Sequence, residues 1–374
     1  MITTSNLDDF IKHHRDQLPF VLYRKPNTSL VKGLMQEDKQ VNYSERFGDT
    51  GFVMAPFDNS ENAVLIPGQP TTVTLPALPK FNQKKIIDFS SEELQKFSHI
   101  ALVEKALNTI KQSKLEKVVL SRKQIVKNEC ANPFEAFQKL LILYPTALVY
   151  LWYHPEVGTW LGATPETLLT LNGKTLKTMA LAGTQVFDPN NEPVWGAKEQ
   201  EEQELVTQEI LSRLSQLPDL TVIKGERRNQ RAGQMLHLLT PITARLNNPT
   251  FDLKKIIEAL HPTPAVCGFP RELAKKFILE NENYDRNFYT GFLGEINQTE
   301  TPRVRNTSRN IENRAYQQTE QSSSLFVNLR CMQLLKDDAA IYVGGGITAQ
   351  SSPALEWQET VNKTQTMRRV LGAS

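Results

Sequence analysis

The chain has 374 residues, 40% of them hydrophobic and 22% charged, which describes a globular protein with enough length for a substantial core and excludes disorder as its main state. Lys and Arg number 43 against 41 Asp and Glu, for a net charge of +2, so no bulk field draws the chain to nucleic acid or to an anionic membrane. Cys130, Cys267 and Cys331 form no CxxC pair, arguing against a zinc site or disulfide framework and for a reducing, cytoplasmic setting.

The opening MITTSNLDDFIKHHRDQ carries acids where a secretion signal is basic, and no later run reaches the roughly 18 apolar residues of a membrane helix. Residues 1–100 mix short apolar runs (PFVLY, GFVMAPF, AVLIP) with turn-rich stretches such as KPNTS, and read as strands and loops without catalytic chemistry. From SSEELQKFSHIALVEKALNTIKQSK the period becomes helical, with Ser90 or Ser91 as cap, and the strand KVVLSRKQIV follows. NPFEAFQKLLILY predicts a helix, and TALVYLWY, TWLGA and TLLTL predict strands. Two more helices, AKEQEEQELVTQEILSRLSQL and FDLKKIIEALH, precede the strands SSSLFVNLRCMQLL and AAIYVGGGI. Ser351 or Ser352, with Pro353 in the first turn, opens a final helix. Strands and helices do not alternate regularly and nothing repeats, so an α+β architecture is favoured over a doubly wound sheet. The polar segment 298–322 reads as a surface loop or insertion.

The final helix poses the first chemical question. Glu356, Glu359 and Lys363 share a face with Met367 and Val370, so charges stand on the apolar side, while Arg368 and Arg369 point elsewhere. Such charges are costly to bury unless paired or bound to a cation; a salt-bridged helix end under solvent is the competing account. In the acidic helix, taking Leu205, Val206, Ile210, Leu214 and Leu217 as the buried stripe turns Glu201 and Glu204 outward and leaves Glu199 and Glu202 at its edge. A solvated face is the ordinary reading of so acidic a run. One acid from it, joined to Glu356 and Glu359, would suit a hard cation such as Mg²⁺, which takes few carboxylates and keeps waters for a substrate anion to replace. The glycines of VGGGIT fit a tight turn, or else a nest of N–H groups facing a carboxylate. Lys117 heads a strand and Glu166 follows a proline turn; each alone reads as a surface charge, and together they offer a base and an acid.

The succession KVVLSR, GATPETLL, LAGT, EEQELVTQEI, LHPTPAVCGFP, DRNFYTGFLG, a strand with Arg330, VGGGI and SPALEWQET resembles the chorismate-utilising enzyme family in its isochorismate synthase branch. The likeness covers residues 101–374; residues 1–100 resemble the variable amino-terminal part by position alone. It implies one large domain over 1–374, built from two mostly antiparallel β-sheets packed together and flanked by helices, with an Mg²⁺-dependent site between them. Carried over motif by motif, Lys117 would take a proton from water attacking C2 of chorismate and Glu166 would protonate the departing C4 hydroxyl. Glu202 and Glu359 match metal ligands, with Glu356 close by. Arg330 and Lys363 match residues that hold the enolpyruvyl carboxylate beside a glycine turn at Gly344 and Gly346. Gly183, Thr184, Ala265 and Val266 would line the substrate pocket, and His237 and His261 would be structural or stand behind the ligating groups rather than serve as ligands. Relatives that use ammonia generally lack a lysine at the position of Lys117, and the aminodeoxychorismate branch has its own lysine where Ala182 stands, so water is the expected nucleophile and no glutaminase subunit is expected. Salicylate synthases, which add pyruvate elimination, share the lysine, and a silent chorismate-binding protein is the rival of another class.

Overall fold

The computed structural model describes residues 4–78, 93–130, 132–232, 235–248, 251–300 and 320–372. The chain opens with β1 (Thr4–Asn6), α1 (Leu7–Arg15), β2 (Phe20–Arg24), β3 (Val31–Met35), β4 (Asn42–Ser44), β5 (Gly51–Ala55), β6 (Ala63–Pro67) and β7 (Thr71–Thr74). Then follow α2 (Glu93–Gln112), β8 (Lys117–Lys127), α3 (Pro133–Leu143), β9 (Leu148–His154), β10 (Gly158–Thr164), β11 (Thr167–Asn172), β12 (Thr175–Val186) and α4 (Ala197–Ser215). Next come β13 (Leu220–Lys224), β14 (Arg228–Ala232), β15 (Met235–Leu246), α5 (Leu253–Leu260), β16 (Gly268–Phe269), α6 (Arg271–Asn281) and β17 (Phe292–Glu300). The chain closes with β18 (Glu320–Val327), β19 (Cys331–Leu334), β20 (Asp338–Thr348) and α7 (Pro353–Leu371).

The strands form two sheets. Sheet I runs β1-β7-β3-β2-β9-β10-β19-β20-β8-β16, and sheet II runs β13-β15-β12-β11-β18-β17-β5-β6-β4, with β14 added to β15. Pairing is antiparallel throughout except for β1 with β7. The α+β class and its two large antiparallel sheets are therefore as expected from the sequence. The first 74 residues do more than decorate, for they supply neighbouring strands to both sheets.

Between the sheets lies an aromatic core that includes Tyr23, Phe52, Trp152, Trp160 and Tyr342. Helices cover the outer faces. On sheet II, Val206, Ile210 and Leu214 of α4 pack on Ala180, Ala182 and Ile242, the stripe expected from their spacing. On sheet I, Met367, Val370 and Leu371 of α7 join Phe137 and Leu140 of α3 over Ile341 and Val343. Each of these larger side chains contributes about 1.5–3 kcal/mol by leaving water, which fixes α7 and hence the direction of its charges.

Three expectations are corrected. The region before residue 100 holds a helix, α1, opened by a capping box in which the side chains of Asn6 and Asp9 each accept from the other's backbone N–H. The expected strand SSSLFVNLRCMQLL is broken at 328–330: β18 belongs to sheet II and β19 to sheet I, so Arg330 sits where the chain crosses between sheets. The crossing is pinned by Asn328, whose side chain accepts from the Tyr150 hydroxyl at 2.7 Å and donates to the Phe288 carbonyl at 2.9 Å. Lastly, Gly344, Gly345 and Gly346 are strand residues, paired in register with Ser121, Leu120 and Val119 of β8, and make no turn. Ser90 and Ser91, and 301–319 of the polar segment, lie outside the described residues.

Candidate active site

Where the β8–β20 ladder of sheet I faces β12 and β15 of sheet II, a cavity of about 260 Å³ remains. Lys117, Glu166, Gly183, Glu202, Ala265, Val266, Arg330, Gly344, Gly346, Glu356, Glu359 and Lys363 all line it. Thr184, the remaining candidate, follows Gly183 on β12 and stands opposite His237 in the register. The structure thus gathers residues from eight separate stretches of sequence around one space.

Lys117, at the head of β8, is buried to 2% exposure, and its Nζ donates to Glu202 Oε1 at 2.6 Å. Glu166 is held by the turn between β10 and β11. The Thr164 hydroxyl donates to the Val327 carbonyl at 2.6 Å and accepts from the Glu166 N–H at 3.3 Å, while the Val327 N–H donates to the Glu166 carbonyl. Burial pushes the Glu166 carboxyl up to about 7, and Lys117 and Arg330 pull the other way without cancelling it. A buried carboxyl that keeps its proton near neutrality can donate it.

The acids come from two helices. Glu199 and Glu202 face the cavity from α4, whereas Glu201 is exposed and Glu204 turns outward to Lys224. Glu356, Glu359 and Lys363 face it from α7, above buried Met367, so the charges do lie on the apolar face. Lys363 Nζ is 2.6 Å from Glu359 Oε1 and donates to the Gly344 carbonyl at 2.8 Å. The glycine strand lets these groups approach: a methyl group on Gly345 would lie 3.3 Å from Glu356 Oε2, and one on Gly346 would lie 3.3 Å from Glu202 Oε1. Among the described residues no group of three or more His, Cys, Asp and Glu side chains is arranged to hold a metal ion by itself. The donor set still fits a hard cation, because Mg²⁺ is ordinarily held by one or two carboxylates together with waters and substrate oxygens.

Arg330 adopts a left-handed backbone, φ +47°, a conformation that costs a non-glycine residue about 1–3 kcal/mol. Its carbonyl accepts from the Ala163 N–H at 3.1 Å. Gly183, at φ +71°, forms a bulge in β12 where the register slips between Ala182 and Thr184; there a side chain would meet Glu199 of α4 at 3.2 Å.

Sequence reasoning passed over Arg286. Its buried guanidinium uses all five donors: two bond Glu282, and the others reach the Val119 carbonyl at 2.7 Å, the Val266 carbonyl at 3.2 Å and Thr290 Oγ1 at 3.2 Å. Val119, Val266 and Thr290 all line the cavity, so one side chain fixes three of its walls. The signal available was the Arg of DRNFYTG, four residues after an acid, Glu282. His237 also reaches the cavity, where burial and then Arg330 push its imidazole down to about 4. His261 stays outside it, against Phe292, as a structural histidine should.

A sequence profile described as chorismate binding enzyme matches residues 70–302, and a second chorismate binding enzyme profile matches 315–369. The chain is 29% identical over 294 residues to the salicylate biosynthesis isochorismate synthase of Pseudomonas aeruginosa, covering 76% of this chain and 56% of that protein. It is 31% identical over 282 residues to the isochorismate synthase MenF of Escherichia coli, covering 72% and 59%. The chain therefore spans somewhat over half the length of these relatives. Among solved structures, the menaquinone-specific isochorismate synthase MenF of Escherichia coli superposes with a TM-score of 0.75 at 23% identity, covering 95% of this chain and 89% of that one. The anthranilate synthase component I of Streptococcus pneumoniae gives 0.65 at 16%, covering 93% and 92%; both likenesses concern the fold. No described helix is long and apolar enough to cross a membrane. The first profile alone takes in more than half of the sequence, including Lys117, Glu166 and Glu202, and on that ground the chain belongs to the chorismate binding enzyme family.

Proposed function

We propose that the protein is an isochorismate synthase, converting chorismate to isochorismate. Lys117 is the general base: its amine takes a proton from a water whose oxygen bonds C2 of the ring. The ring double bonds shift, the C4–O bond breaks, and Glu166 gives its proton to the departing hydroxyl, which leaves as water. One water enters and one departs, so the net change is isomerisation. The observation that carries this reading is the pairing, across one cavity between the sheets, of a buried lysine with a buried carboxyl held protonated to about pH 7.

Arg330 and Lys363 hold the enolpyruvyl carboxylate, the former able to do so bidentately, with the Gly344–Gly346 backbone beside it. Gly183, Ala265 and Val266 shape the ring pocket, with Thr184 next to Gly183 in the chain. Glu202, Glu359 and Glu356 are the groups that would hold Mg²⁺; when bound, the ion would neutralise the ring carboxylate and take up the Glu202 charge that otherwise accepts from Lys117. Ala182 leaves the pocket without the lysine of the aminodeoxychorismate branch, in keeping with water as nucleophile and with no glutaminase partner.

The test is to incubate the protein with chorismate and Mg²⁺ in the absence of ammonia and to separate the products, with proton NMR to tell the two isomers apart. An Mg²⁺-dependent mixture of chorismate and isochorismate is expected. Salicylate with pyruvate would transfer the protein to the lyase branch, and binding without turnover would make it a silent binder. Lys117→Ala should remove turnover, by 10²–10⁴-fold for a general base, and leave chorismate binding; substantial residual hydroxyl transfer would refute its role.

A further inference from the structure

A second cavity, of about 350 Å³, adjoins the first and shares Pro165, Leu181 and His237 with it. Its floor is one face of sheet II. Register sets Met179 against Pro241, Leu181 against Leu239 and Leu239 against Arg228, and the two-residue period of a strand keeps Lys177 on the same face as Met179 and Leu181. Its opposite lip comes from the sheet I side, with Asn27 after β2 and Thr146 before β9. Lys177, Arg228 and Arg231 line this space, and among the described residues no Asp or Glu does. All three cations are exposed, and the Arg231 guanidinium is braced 3.9 Å over the Phe187 ring.

The first cavity is polarised. Glu199, Glu202, Glu356 and Glu359 stand on its helix side. Arg330 stands within electrostatic reach of Tyr144 and Glu166, close in sequence to Thr146 and Pro165 of the second cavity. A dicarboxylate approaching over α4 and α7 therefore meets four acids against one cation, Lys363, which is already paired with Glu359. Approaching through the second cavity, it meets three cations and then Arg330. We propose that the second cavity is an anteroom through which the dianionic substrate reaches the catalytic cavity, with Lys177, Arg228 and Arg231 steering it by charge. This rests on the reading of the substrate as chorismate, a dicarboxylate.

Steering of this kind changes association rates by about 10–10³-fold. The test compares the Arg228→Glu/Arg231→Glu double variant with a control of equal net charge, Lys96→Glu/Lys276→Glu, whose lysines are exposed on α2 and α6. Chorismate association is followed by stopped-flow tryptophan fluorescence. At low ionic strength the first variant should bind about tenfold more slowly than wild type with kcat within twofold, the control should match wild type, and the gap should close near 1 M salt, where the screening length is about 3 Å. Equal association rates in the two double variants would overturn the anteroom. If the wild-type protein fails to convert chorismate, the functional reading falls separately, and calorimetric titration with isophthalate decides the cavity: binding lost only in the arginine variant supports it, while equal binding, or none to wild type, overturns it.

Discussion

Glu166 and Glu295 are both buried between the sheets, at 7% and 1% exposure. Glu295, on β17 of sheet II, receives Lys25, Lys32 and the Tyr23 hydroxyl from the sheet I side, Lys32 Nζ at 3.1 Å. Burial pushes its carboxyl up, but the two lysines and the tyrosine more than offset this and hold it below the ordinary carboxylate range. At Glu166 the same burial wins, because Lys117 and Arg330 act through space and are too few to reverse it. Burial is common to both; the number of donors aimed at the carboxylate decides whether it becomes a fixed charge that ties two sheets or a proton source.

That contrast breaks most sharply at Glu166. Glu166→Gln should lower turnover by roughly 10²–10⁴-fold. Its folded carboxyl titrates near 7 against an ordinary 4.5, so the native state binds the extra proton, and this group's contribution to stability falls as pH rises from 4.5 to 7, by on the order of 3 kcal/mol. Thermal melts at pH 8 should therefore show Glu166→Gln more stable than wild type, with the gap shrinking at pH 5, and wild-type turnover should decline above about pH 7. A variant less stable at pH 8 would show that Glu166 is held as a charge.

Glu295→Gln should behave in the opposite sense. It leaves two lysines facing a lost partner and should cost roughly 3 kcal/mol in urea denaturation, with kcat little changed well below the melting range. Since the folded Glu295 carboxyl lies below the ordinary range, its stabilisation is present at neutral pH and lost as pH falls through that lowered value, so the two proteins should converge in acid. Arg286→Lys removes the fork that holds the Val119 and Val266 carbonyls; a stability loss of about 1–3 kcal/mol is expected, with a lower kcat at a temperature where the variant is fully folded. The smallest effect sharpens the geometry. A methyl group on Gly346 would lie 3.0 Å from Lys117 Cε, so Gly346→Ala should lower kcat roughly tenfold through displacement of the amine, with the fold retained by circular dichroism.

Much of this was legible in the sequence where the signal is local. AVLIP bounds β6 to the residue, and the stripe on α4 placed Glu199 and Glu202 correctly at the edge of its buried face. Misses fall where long-range pairing decides. Nothing in NLR, which has neither glycine nor proline, announces that the chain changes sheets at Arg330 with a positive φ. The glycines of β20 looked like a turn because glycine weakens strands; they remain a strand because β8 pairs them, and Lys117, Glu202 and Glu356 approach Gly345 and Gly346 closely enough that a methyl group would displace them. Helix α1 is short, and its signal, Asn6 followed three residues on by Asp9, was passed over. Lys117 and Glu166 were weak alone, since nothing local says that residues 49 apart share a cavity; only the order of motifs joined them.

The amino-terminal strands have a consequence for the borders of both sheets. β2 pairs with β9, and β5 with β17. A chain lacking everything before α2 would bare both β9, whose LVYLWYH is almost wholly buried, and β17, offering two long unpaired ribbons to other copies. The stretch with no catalytic motif thus acts as a double seal against self-association. Its backbone donates and accepts along two borders at once, while Tyr23, Lys25 and Lys32 tie the same stretch to buried Glu295.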